Sequence, residues 1–167
     1  MNGSYEDQYR RTRLQLERCK VNYGVDGHPG LPFTMDEETV FSTVMDFMHL
    51  FQDIFHLRDW LINDPDVSIS RNEMNQFFKK SPNMLLLQSV ANATKHLILE
   101  PGQPDPYVDM RAIPIISGPV GTFPVGGFYG TAIIVEGEKD RRHLNALELA
   151  ELCMTEWEEY LVAHGLL

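Results

Sequence analysis

The sequence has little of what several function classes require. It contains only two cysteines, Cys19 and Cys153, far apart and each inside a helical pattern. Such a pair makes neither a disulfide framework nor a zinc knuckle, and suits a reducing cytoplasm. Basic residues are scarce: 14 Lys and Arg stand against 24 Asp and Glu, a formal charge of −10. That balance opposes broad binding to DNA, because affinity for phosphates is carried by clustered Lys and Arg. The basic run Arg10, Arg11, Arg13 and Arg18 reads as a solvated helix face. No apolar run approaches the roughly 18–20 residues that cross a bilayer. The N-terminus, MNGSYEDQYRRTRLQLERCK, has no apolar core and no cleavage signal. A cytoplasmic protein with no membrane partner is therefore expected. Motifs of covalent catalysis are missing too: there is no G-x-S-x-G, and no spacing argues a serine or cysteine triad. The glycine-rich run 118–127 lacks the order of a phosphate-binding loop and reads as a hairpin connection.

What is present is helical periodicity. Hydrophobic residues make up 43% of the 167 residues, enough for one substantial core. Helices are expected at about 5–22, 36–63, 70–80, 82–99 and 143–164. Residues 5–22 have an imperfect apolar spacing (Tyr5, Tyr9, Leu14, Leu16, Cys19, Val21), which predicts packing at the core's edge. Over 36–63, Val40, Thr43, Phe47, Leu50, Phe51, Ile54, Leu57 and Leu61 recur at about 100° per residue. Ser70 and Glu73 form a capping-box pair. Ser81 then caps a helix that has Pro82 at its first position, where a missing N–H costs little. Its inward stripe is Leu86, Val90, Ala93, Thr94 and Leu97, with Gln88, Ser89, Asn92, Lys95 and His96 on the other side. Residues 107–136 change character: β-branched runs with Gly and Pro turns predict a β-hairpin, with Pro114 and Pro124 confined to edges or strand ends. The expected fold is mainly α. It is a single domain over 1–167, a four-to-five-helix bundle with a small β-hairpin inserted before the C-terminal helix.

Two polar faces carry the candidate chemistry. The helix over 36–63 sets Ser42, Asp46, His49, Asp53, His56, Trp60 and Asn63 opposite its apolar stripe, where a plain solvent face would carry Lys and Glu. With Arg58 these make a candidate ligand or interface face of His49, Asp53, His56, Arg58 and Trp60. His49, Asp53 and His56 lie at i, i+4 and i+7 and share a helix face. They offer imidazole and carboxylate to a divalent metal. The competing reading is a semi-buried seam whose polar groups pair. That reading is favoured, since the chain has none of the Glu-x-x-His pairs of di-iron bundles. No resident metal or cofactor is expected. The second face is Asn92, Lys95 and His96. Asn is disfavoured in a helix interior, which argues a reason for it. The small residues Ala91, Asn92, Ala93 and Thr94 admit a neighbouring helix closely.

The run Ala91-Asn92-Ala93-Thr94-Lys95-His96 resembles the signature of HEPN-domain proteins. In that family a helix carries Arg, then a polar residue that is often Asn, then His four positions after the polar one. Here Asn92 matches the polar residue and His96 the histidine. The resemblance implies an antiparallel helical bundle that pairs as a homodimer. It also implies links to metal-independent ribonucleases of toxin–antitoxin and phage-defence systems, in which Arg and His act at the scissile phosphate and its 2′-hydroxyl. Ala91 stands where the family has Arg, so the cation that would stabilise charge on a phosphate is absent from that position. Lys95, on the same face, is its nearest substitute. The segment His56-Leu57-Arg58-Asp59-Trp60 followed by Asn92-x-x-Lys95-His96 is also similar to a set of bacterial proteins, with no function attached.

The function expected from these residues is a HEPN-like binding or interaction module, catalytically degenerate and homodimeric, with RNA or a protein as partner. Two alternatives stay open. One is a metal-independent ribonuclease using Asn92, Lys95 and His96, with His acting as acid or base near neutral pH. The other is a metal-binding helical-bundle hydrolase built on His49, Asp53 and His56.

Overall fold

The longest apolar period in the sequence becomes the longest helix of the computed structural model, which describes residues 4–25, 28–29, 31–32, 37–93, 109–117, 128–136 and 143–167. This helix, α2 (Glu37–Asn63), buries Thr43, Phe47, Leu50, Phe51, Ile54, Phe55, Leu57 and Leu61. Seven of these are the expected stripe, while Phe55 widens it and Val40 at the start is only half-buried. Glu37 and Glu38 occupy its first turn, where the helix dipole favours negative charge.

Around α2 pack α1 (Tyr5–Tyr23), α3 (Arg71–Lys80), α4 (Pro82–Ala93) and α5 (Ala146–Ala163). Among the described residues the protein is thus mainly helical, a five-helix bundle. The placement of α1 corrects the expectation that it would sit at the edge. It contributes Tyr5, Gln8, Tyr9, Thr12, Leu16 and Cys19 to the interior, while Leu14 and Val21 are 57% and 80% exposed. A stripe that includes Gln and Thr escapes a count of apolar residues. Thr12 can be buried because its hydroxyl donates to the Gln8 carbonyl at 2.9 Å, which removes most of the cost of burying it.

Local chemistry fixes the helix ends. The capping box at α3 is complete: Glu73 N–H donates to Ser70 Oγ at 3.2 Å, and Ser70 N–H donates to Glu73 Oε2 at 2.8 Å. Such a cap contributes about 1 kcal/mol. Ser81 Oγ accepts from Met84 N–H at 3.1 Å and starts α4. The expected helix over 82–99 is seen as far as Ala93, and the remainder lies outside the described residues.

Before α5 the chain forms a sheet. The expected hairpin is β4 (Asp109–Ser117) paired antiparallel with β5 (Phe128–Glu136). Two further strands, β3 (Leu31–Pro32) and β6 (His143–Asn145), both pair with β5 on its other side. A separate two-residue pair, β1 (Gly24–Val25) and β2 (His28–Pro29), follows α1. Pro114 lies in β4, at the sheet edge, where it forfeits no ladder bond to a further strand. Pro124 lies outside the described residues. The last helix therefore begins at Ala146 rather than 143. Residues 143–145 are drawn into the ladder, and Asn145 Oδ1 accepts from Leu147 N–H at 2.8 Å as the cap.

The core centres on α5 against α2. Trp157 is 0% exposed and donates its indole N–H to the Ile54 carbonyl at 3.1 Å. Around it Phe77, Phe78 and Tyr160 stack with ring centroids 5.0, 5.9 and 6.0 Å away. Cys153 is buried beside them, its Sγ 3.6 Å from the Asn83 carbonyl, and is a packing thiol as its apolar neighbours predict.

Candidate functional site

Part of the polar face of α2 is spent on α1. Asp46, Asp53 and Trp60 lie seven residues apart, two helical turns each, and so form one row. Each meets a different residue of α1. The Tyr23 hydroxyl donates to Asp46 Oδ2. Gln8 Nε2 donates to the Asp53 carbonyl at 3.3 Å and approaches Asp53 Oδ1 at 3.5 Å. The Arg11 guanidinium carbon lies 5.6 Å from the centre of the Trp60 ring. The row is a seam between helices, and of His49, Asp53 and His56 only Asp53 belongs to it.

Burial raises the Tyr23 hydroxyl to about 12, helped by its hydrogen bond to Asp46. Burial also pushes the Cys19 thiol up to about 11, with the Asp46 carboxylate adding to it. Both groups therefore stay protonated at neutral pH, and Cys19 is a poor nucleophile.

The remaining α2 candidates diverge. His49 is exposed. His56 is half-buried, its ring 6.2 Å from that of Phe55. Among the described residues no three His, Cys, Asp or Glu side chains gather to hold a metal ion, so His49, Asp53 and His56 form no ligand set. Arg58 turns toward the aromatic core, its guanidinium carbon 5.8 Å from the Phe55 ring centre and 5.9 Å from that of Phe78. The basic run on α1 is dispersed in the same way. Arg13 pairs with Glu158 of α5 at 3.0 Å, while Arg10 and Arg18 face solvent.

On α4 the structure places Asn92 at a half-buried position and Ala91 in the core at 0% exposure. Ser89, expected on the outer face, is buried with its hydroxyl donating to the Leu85 carbonyl at 3.1 Å. The reason is that α4 packs against α2, α3 and α5, so its covered surface is wider than one stripe. Lys95 and His96 lie outside the described residues, as does the glycine-rich run 118–127.

Among the clefts on the described surface are two whose linings the sequence did not group. One, of about 490 Å³, lies where α3, α4 and α5 meet and is lined by Phe77, Lys80, Pro82, Glu156, Glu159 and Tyr160. The Tyr160 hydroxyl is buried without a hydrogen-bond partner, and its burial raises its pKa. The other, of about 320 Å³, lies at the C-terminal end of α2 and is lined by Asp59, Trp60, Asn63, Asp64 and Pro65. Its wall is fixed from a distance. Asp64 Oδ2 accepts the Tyr5 N–H at 3.0 Å, so that it caps α1, and Oδ1 accepts the Asp66 N–H at 3.0 Å. Trp60 and Asn63 were the visible signals here. Asp64 and Pro65 could not be grouped with them by helical spacing, because α2 ends at Asn63. No protein-family model, curated protein or solved structure matches the chain.

Proposed function

We infer that this chain is a HEPN-like helical module that binds a partner and does not cleave RNA. The observation that carries this reading is Ala91. The position at which the family has a phosphate-binding arginine is a packing alanine at 0% exposure. An arginine head group there would have to leave the core to reach a phosphate. The charge of −10 supports the same reading, since it repels a polyanion and attracts basic partners. The engagement of Asp46 and Asp53 with α1 gives those carboxylates a structural task.

In this reading the outer part of α2, with His49 and His56, and the Asn92–His96 segment form the binding surface, and two copies pair through it. Purified protein incubated with single-stranded RNA in EDTA should leave the RNA intact. Cleavage that His96→Ala abolishes would replace this reading with the ribonuclease. Sedimentation should give twice the chain mass, and Asn92→Arg should return the monomer. A monomeric wild type would remove the pairing.

A further inference from the structure

We propose that the cleft at the C-terminal end of α2 takes the guanidinium of an arginine side chain from a basic partner segment, laid on the Trp60 ring and countered by Asp59. This rests on the binding-module reading and names the chemistry of its partner.

Four observations converge on a cation at this place. The first is a cation already on the same ring: Arg11 of the chain itself, which is not among the cleft's lining residues, holds its guanidinium carbon 5.6 Å from the Trp60 ring centre. That is within the range over which the ring's negative face attracts a cation, and Trp is the strongest of the aromatics in this respect. The second is the end of α2. A helix C-terminus carries partial negative charge and is favoured by a nearby cation, yet α2 has no basic residue in its last turn. The third is the sign of the lining. Asp59 and Asp64 line the cleft with Trp60, and among the described residues no Lys or Arg lines it. The fourth is shape: about 320 Å³ sits at the small end of ligand clefts and suits one side chain better than a drug-sized molecule.

The residues divide the work. Asp64 is held by two backbone N–H groups and acts as a rigid wall. Asp59 is exposed, and its carboxylate is the one placed to meet an incoming cation. Asn63 is tied back, its Nδ2 donating to the Asp59 carbonyl at 2.7 Å. Arginine is favoured over lysine because a planar, weakly hydrated guanidinium stacks on an indole, whereas an ammonium keeps its water. Arg11 is bonded to Gln8 Oε1 and, lying near the ring, competes with an incoming guanidinium.

The test uses the full chain and the fluorescence of Trp60. The only other tryptophan, Trp157, is 0% exposed and cannot meet a solute in the folded protein. Titration with a tetra-arginine amide should give a saturable change in emission that Trp60→Phe removes. Tetra-glutamate should give none, and tetra-lysine should bind several-fold more weakly. Asp59→Asn should weaken tetra-arginine several-fold. Arg11→Ala should strengthen it, because an internal competitor has gone. That gain separates the proposal from damage to the fold, which only weakens binding. Equal binding of the lysine and arginine peptides, an unchanged affinity in Asp59→Asn, or a loss in Arg11→Ala would each overturn it. The readout involves neither Asn92 nor His96. RNA cleavage alongside an intact Trp60 response would therefore remove the module reading alone. A missing response with intact RNA would remove the cleft assignment alone.

Discussion

Trp157→Ala is expected to lower the unfolding free energy by about 3–5 kcal/mol, a large part of the roughly 5–15 kcal/mol that holds a domain of this kind folded. The indole is fully buried, touching rings from α3 and α5. Its N–H reaches across to the Ile54 carbonyl of α2. Truncation removes both the apolar surface and the hydrogen bond, and leaves a void that closely packed neighbours fill only in part. Trp157→Phe should cost much less, since a ring remains and only the N–H bond, a net contribution of about 1 kcal/mol, is lost with some volume. Urea midpoints at constant slope measure both. A loss under about 1 kcal/mol for the alanine variant would contradict the placement of Trp157 at the centre of the core.

The second large effect is a loss of stability in alkali. The folded state holds the Cys19 thiol protonated to about 11 against an ordinary 9.0. It holds the Tyr23 hydroxyl protonated to about 12 against 10.0. Burial is the main cause for each, and Asp46 stands beside both. A raised acid favours the fold while it is protonated in both states. The contribution is therefore complete below the unfolded values and is lost as pH rises through the folded ones. For Cys19 the change is on the order of 3 kcal/mol, at about 1.4 kcal/mol per pH unit. Tyr23 is more exposed to solvent and adds less. Urea midpoints should stay level up to about pH 9, the lower unfolded value, and then fall through about pH 12. Cys19→Ala should flatten the first part of the fall and Tyr23→Phe the later part. Asp46→Asn should make the whole fall shallower, because the charge that raises both groups is gone. A profile identical in all three variants would exclude these groups as its cause.

Both effects arise where helices meet, and that is also where sequence and structure part company. The five helices were legible because their signals are local. Ser70 with Glu73, Ser81 with Pro82, and the apolar period of α2 each act within a few residues, so spacing alone exposes them. The β4–β5 hairpin was legible for the same reason, from β-branched runs around turn residues. The boundary at Ala146 was not, because residues 143–145 are claimed by β5 and a ladder partner leaves no mark in the strand that it recruits.

The fate of the polar residues was decided by tertiary structure. The row Asp46, Asp53 and Trp60 was visible as a helix face. That Tyr23, Gln8 and Arg11 would occupy it depended on how α1 lies against α2. The same packing made Gln8 and Thr12 core residues and left Val21 in solvent, an inversion that hydropathy cannot show. Ala91 is the clearest case. In the sequence it is one of a run of small residues, while in the fold it is a buried contact of α4. Local chemistry thus determined which elements form and where most of them begin. Only the packing of those elements decided which charged groups are spent on holding helices together and which, as at Asp59 beside Trp60, stay exposed. Side-chain spacing is a property of one helix, whereas burial and pairing belong to two.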